Sequence, residues 1–286
     1  ADFNAKIRRI DLATEVGAPV LAGLLLFLKT DSLPLLGFWL IAGWNILSFF
    51  PELWLIHSVL KDNPSLAEEK ILVPEVYRQN FLNQLLTGWR AFAREPAALA
   101  MLAYSFLWLS ALSPHGVLLT SFLKDGWQLP EWEIGIFRGL GAVFGLAATF
   151  LFPILVRKTG LIGGSRNCLW FQAATLLLAM GFFFLGERVG QLGFLLLILF
   201  SRIGLYGFGL GEMEIRQRSI LPGSRGRVNG FAHALNNVGT LSLFVVGILV
   251  GSASAFGLLV AFSCAAVLVA AALFQRWIKF NNESFK

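Results

Sequence analysis

The strongest chemical signal in this chain is a histidine beside a helix breaker inside an uncharged run. Between Glu95 and Lys124 lie 28 residues without a formal charge, and Ser113-Pro114-His115-Gly116 falls in their outer third. An unpartnered backbone amide is costly in hydrocarbon, so Pro114 and Gly116 are tolerated at that depth only where the opened turn faces protein or a water-filled cavity. A neutral imidazole at such a turn is a ligand type for first-row divalent ions. The competing reading is a simple proline kink, with His115 hydrogen-bonded to a neighbouring carbonyl.

A second constellation follows Trp44. Asn45, Ser48 and Glu52 are separated by three and four residues, which places them on one face of a helix. Oxygen ligands on one face suit a hard or borderline divalent cation; alternatively, Glu52 is hydrated or paired with a basic residue. Arg202, in Phe200-Ser201-Arg202-Ile203-Gly204, lies deep in another apolar run. A midplane arginine costs roughly 2.5 to 3.5 kcal/mol on insertion scales, so Arg202 must face a cavity, meet a partner, or tether helix-end carbonyls. Cys168 and Cys264 are far apart in apolar surroundings and offer neither a disulfide framework nor a metal knuckle.

These residues need membrane-spanning elements to hold them. Hydrophobic residues make up 56% of the chain and charged residues only 14%, with a mean hydropathy of +0.70; a soluble chain would carry about 25% charged residues. Eight apolar runs are long enough to cross about 30 Å of hydrocarbon: 12–28, 33–60, 96–123, 131–156, 164–186, 189–211, 228–250 and 252–275. Alternate connections hold eighteen of the 23 basic residues, while Lys29, Lys124 and Arg188 fall on the other side. Basic loops mark the cytoplasmic face, so both ends of the chain are expected there. The pI of 9.6 then reflects topology and not nucleic-acid binding.

Residues 61–95 form the longest polar connection, with Pro64 and Pro74, and carry an amphipathic stretch from Val76 to Phe92. Phe81, Leu82, Leu85, Leu86, Trp89 and Phe92 recur at helical spacing, which predicts a helix on the membrane surface. Two runs precede this linker and six follow it, the pattern of the second half of a twelve-span, two-lobed transporter. The expected organisation is therefore 1–60 as the end of one lobe, 61–95 as a cytoplasmic linker and 96–286 as the second lobe. Four spans are expected to precede this chain. Gly135 with Gly139, Gly141 with Gly145, and Gly207 with Gly211 predict close helix packing.

Asn4-Ala5-Lys6-Ile7-Arg8-Arg9-Ile10-Asp11, Gly43-Trp44-Asn45 with Ser48 and Glu52, Arg202-Ile203-Gly204-Leu205, Arg225-Gly226 with Asn229-Gly230, and Ala255-Phe256-Gly257-Leu258-Leu259-Val260 carry a resemblance that covers essentially the whole chain. Together they resemble the ferroportin family of iron exporters, within the major facilitator superfamily, at its helices five, six, ten, eleven and twelve. The resemblance implies an all-α fold of twelve helices in two lobes, with helices five to twelve present here. It also implies export of Fe²⁺, with Co²⁺, Mn²⁺ and Zn²⁺ as related cargo, by alternating access.

His115 falls at the family's unwound seventh helix, where vertebrate relatives carry the cysteine used by the peptide hormone hepcidin. That departure implies a bacterial-type member that hepcidin does not regulate. Leu243 stands where vertebrate members have a metal-binding histidine, so a site around His115 must be built differently. Asn45 and Glu52 match positions that resemble an N-lobe cation site implicated in Ca²⁺ binding, and Asn4, Arg8 and Arg225 match the cytoplasmic gate. A plasma-membrane monomer without a cofactor is expected. An exporter of organic solutes or drugs would share the topology. An enzyme is disfavoured, because no nucleophile–base pair, HExxH motif or phosphate loop occurs.

Overall fold

The computed structural model describes residues 2–26, 35–64, 81–221, 223–250 and 252–281. Lys29, Pro74 and the stretch from Val76 to Asn80 lie outside them. Nine α-helices follow one another among the described residues: α1 (Asp2–Leu26), α2 (Leu36–Asp62), α3 (Phe81–Arg94), α4 (Ala98–Leu107), α5 (Val117–Ser121), α6 (Glu131–Leu185), α7 (Arg188–Ser219), α8 (Arg225–Val250) and α9 (Phe256–Asn281). Five of them, α2, α6, α7, α8 and α9, are long and apolar enough to cross a membrane.

The apolar runs map onto these helices unevenly. The run 96–123 is one short helix, α4, then an irregular segment, α5 and a π-helical turn over Phe122–Gly126. α6 carries two runs, 131–156 and 164–186, and reverses between them at Gly160, whose φ of 74° and ψ of 168° are open to glycine and strained for other residues. α6 ends where Gly186 takes the left-handed conformation, φ 70°.

Residues group into two compact units, Ala1–Leu12 with Leu85–Lys286, and Ala13–Gln84. In the larger unit α6 and α7 approach closely. A Cβ on Gly204 would lie 2.6 Å from the Cys168 carbonyl oxygen, one on Gly207 2.6 Å from Cys168 Sγ, and one on Gly145 2.6 Å from Tyr206 Cε2. Gly135 and Gly139 differ from their expected role, since no described atom lies within 4 Å of a Cβ built there. Spacing marks a face of small residues without stating whether a partner covers it.

α9 packs on α4 through Trp277, whose Nε1 donates to the Pro96 carbonyl at 2.7 Å. The far end of this unit is closed by aromatic rings, with Phe122 stacked on Phe256 at 4.0 Å and Trp127 and Phe183 beside them. α3 is amphipathic as expected. Phe92 is buried and stacks with Trp89, both meeting Phe231 of α8, whereas Leu85 and Leu86 are exposed. In the smaller unit α2 exposes Trp39, Trp44, Leu47 and Trp54, as a lipid- or protein-facing helix does.

Candidate functional site

Much of the backbone of the irregular segment between α4 and α5 is hydrogen-bonded. The N–H of Ala111 donates to Ser263 Oγ of α9 at 2.9 Å, that of Leu112 to Ser110 Oγ at 3.3 Å, and that of Gly116 to the Ser113 carbonyl at 2.9 Å. Pro114 has no donor to satisfy. The Leu112 carbonyl accepts from Arg202 Nη2 at 2.7 Å. Proline and glycine open the turn, and groups from α7 and α9 supply the bonds the helix no longer makes.

α6 provides the seat for this turn. A Cβ on Gly141 would fall 2.7 Å from Pro114 Cβ and 3.5 Å from His115 Cε1, so the absence of a side chain there admits Pro114 and sets the imidazole beside α6. His115 is half-buried. Arg202 is buried, 4% exposed, and its charge sits on the opened turn itself.

Asn45, Ser48 and Glu52 lie along one face of α2, and two of them bond their own helix. Asn45 Nδ2 donates to the Ile41 carbonyl at 2.9 Å and Ser48 Oγ to the Asn45 carbonyl at 3.1 Å. Glu52 is exposed. Among the described residues no three His, Cys, Asp or Glu side chains gather in a group that could hold a metal.

The residues read as a gate divide into two kinds. Asn4, 4% exposed, joins α1 to α7: its Nδ2 donates to Gln217 Oε1 at 2.9 Å and Glu214 Oε2 at 3.2 Å. Arg225 instead closes the end of α7 locally, Nε to the Ile220 carbonyl and Nη2 to the Gln217 carbonyl, both at 3.1 Å. Arg8 pairs with Asp11 on its own helix and lies 5.1 Å over the Tyr206 ring. A cavity of about 160 Å³ opens beside them, lined by Met213, Arg216, Gln217, Ile220, Arg225 and Asn229. Arg216 there pairs with buried Glu212 at 3.3 Å and reaches Asn229 Oδ1 at 3.4 Å.

Sequence reasoning missed Arg9, which joins α1 to α6. Its Nε and Nη2 donate to Thr149 Oγ1 and carbonyl oxygen at 3.1 and 2.9 Å, and its guanidinium covers the Phe150 ring at 3.8 Å. Gln217, Ser263 and the particular role of Gly141 were likewise unread, since none has a local signature. At the opposite end Lys124 donates to Glu131 at 2.8 Å, which holds the lysine above its ordinary range. Both groups are solvent-exposed, so the pair contributes little.

Five helices long and apolar enough to cross a membrane define a polytopic α-helical membrane protein. The Ferroportin1 family model matches residues 1–267, and the chain belongs to the ferroportin family. It is 46% identical over 275 residues to Ferreportin of Bdellovibrio bacteriovorus, covering 96% of this chain and 61% of that protein. It is similar to the crystal structure of a bacterial homologue of the iron transporter ferroportin in the outward-facing state with soaked iron, at TM-score 0.79 and 46% identity, covering 96% of this chain and 62% of that one. To the inward-facing crystal structure of a bacterial homologue the TM-score is 0.68 at 46% identity, with the same coverage. The chain thus spans about three fifths of the length of these relatives.

Proposed function

We propose that the protein to which this chain belongs exports Fe²⁺ and related divalent ions, Co²⁺, Mn²⁺ and Zn²⁺, by alternating access. The observation that carries this reading is the helix break, hydrogen-bonded to α7 and α9, that sets His115 against Gly141 in a chain of the ferroportin family. A bacterial homologue of iron transporter ferroportin has been crystallised with soaked iron, which supports iron as cargo. The finer architecture belongs to the same proposal: twelve helices of the major facilitator type, with helices five to twelve here. It divides as 1–60, 61–95 and 96–286, lies in the plasma membrane as a monomer, and has both ends of this chain cytoplasmic.

His115 supplies the nitrogen ligand in this reading. Asn45, Ser48 and Glu52 form a separate cation position on α2, open to iron or to Ca²⁺ as a regulator. Asn4, Arg8 and Arg225 serve the cytoplasmic gate, joined by Arg9. Cargo passes through unchanged, so no catalytic residue or cofactor is invoked, and hepcidin is not a partner.

Protons compete with metal for the imidazole lone pair. A proton can therefore occupy His115 on the return stroke and couple export to proton movement in the opposite direction. The test is Co²⁺ flux in liposomes holding the full-length protein and a metal-quenched dye. Competition by Mn²⁺ and Zn²⁺ is expected; competition by lipophilic organic cations alone would replace this reading with an organic-solute exporter.

A further inference from the structure

Among the described residues, Arg202 is a buried positive charge that forms no ion pair with a carboxylate. The ion pairs found in the described residues join Arg8 to Asp11, Lys124 to Glu131, Arg216 to Glu212 and Arg218 to Glu214, and none includes Arg202. Its Nη2 donates at 2.7 Å to the Leu112 carbonyl, while Nε has no hydrogen-bond partner. Buried charges are ordinarily paired. Here the guanidinium behaves as an organic cation resting on a neutral oxygen ligand.

That oxygen belongs to the opened turn three residues before His115. Backbone carbonyl oxygen is also a ligand type for divalent cations. The same atom thus serves as acceptor for Arg202 and as a candidate ligand beside the imidazole. We propose that Arg202 is a tethered stand-in cation, which occupies the Leu112 carbonyl when cargo is absent and is displaced from it when a divalent ion binds at the break.

The inference rests on the transport reading above and deepens it. An exporter must reorient after releasing its cargo, and an unsatisfied acceptor in a low-dielectric interior is costly during that step. The guanidinium covers the Leu112 oxygen during that step. Cargo entry is then an exchange of one cation for another, so the turn never presents a bare carbonyl. Ser201 Oγ already accepts from Nη2 at 3.4 Å, a second and longer bond that the guanidinium can keep when it leaves the carbonyl. An aliphatic or neutral side chain at 202 would leave the empty site uncovered without removing any ligand from the loaded one.

Two fluxes in the same liposomes separate these roles. Net Co²⁺ uptake into metal-free vesicles requires the empty carrier to return, whereas exchange of labelled against unlabelled Co²⁺ does not. For Arg202→Gln, net uptake is expected to fall roughly tenfold while exchange stays within about twofold of wild type. Arg202→Lys keeps the charge on a shorter reach and should shift the ratio in the same direction by less, which preserves the test if the glutamine variant does not fold. Ser263→Ala, which frees the Ala111 N–H of the same turn, should move both fluxes together. An unchanged ratio in every Arg202 variant that folds overturns the proposal, as does an equal shift of the ratio in Ser263→Ala. Absence of both fluxes in wild type would instead overturn the transport reading.

Discussion

His115 can bind a divalent ion only through an unprotonated nitrogen, so its affinity is tied to pH by competition. As pH falls, protons compete for the lone pair and apparent Co²⁺ affinity should weaken by up to about tenfold per unit. Titrations between pH 5.5 and 7.5 check this, and the slope should flatten in His115→Gln. A slope that survives that substitution would move the competing proton to another residue. His115 was legible in the sequence because Pro114 and Gly116 announce a break by their own stereochemistry. The partner of Arg202 was not: it lies 90 residues away and is a backbone carbonyl, a group every residue carries. The cost of a buried arginine was readable, but which atom satisfies it required the fold.

At the scale of the element, the turn and α6 are fitted to one another at Gly141. Replacing a helix-interior glycine by alanine ordinarily stabilises by about 1 kcal/mol. Here the new Cβ would meet Pro114 at 2.7 Å, and overpacking of that kind costs roughly 1 to 3 kcal/mol. Gly141→Ala should therefore lower the melting temperature and, by tilting the turn that carries His115, weaken Co²⁺ binding. A gain in stability with unchanged affinity would show that Pro114 is free to move and that the seat is not needed.

The long helices were readable from apolar runs and α3 from its one-sided pattern, whereas the run 96–123 did not show that it divides into α4, an irregular segment and α5. The reversal at Gly160 was read only as a loop, because one residue's φ leaves no periodic trace. The glycine pairs divided as packing decides: Gly145, Gly207 and Gly211 meet partners, whereas Gly135 and Gly139 do not.

For the whole molecule, alternation requires contacts that exist in one access state and not in the other. The bonds from Asn4 to Glu214 and Gln217, and from Arg9 to Thr149, tie the first turns of α1 to α7 and α6. Each buried hydrogen bond contributes about 1 kcal/mol, so Asn4→Ala combined with Arg9→Ala should shift the population toward the inward-open form by roughly tenfold or more. A cysteine placed at Ile220, which is 2% exposed, should then react faster with a membrane-impermeant thiol reagent applied from the cytoplasmic side. Unchanged reactivity would remove these contacts from the gate. The distance in sequence, 210 residues and more for Asn4, explains why only the Asn4 end of its bonds was legible and neither end of the Arg9 contact was. Arg225 was read as a gate residue from resemblance, yet its observed bonds are to the neighbouring end of α7.

Calorimetric titration of the purified full-length protein with Co²⁺, wild type against His115→Ala, bears most directly on the central claim that the broken helix is a metal site. Loss of residues that merely orient a ligand already costs about 10- to 100-fold in affinity, so loss of the ligand itself should weaken binding by at least that much while the melting temperature stays close to wild type. Equal affinities in the two proteins would contradict the account and return His115 to the status of a hydrogen-bonding residue at a proline kink.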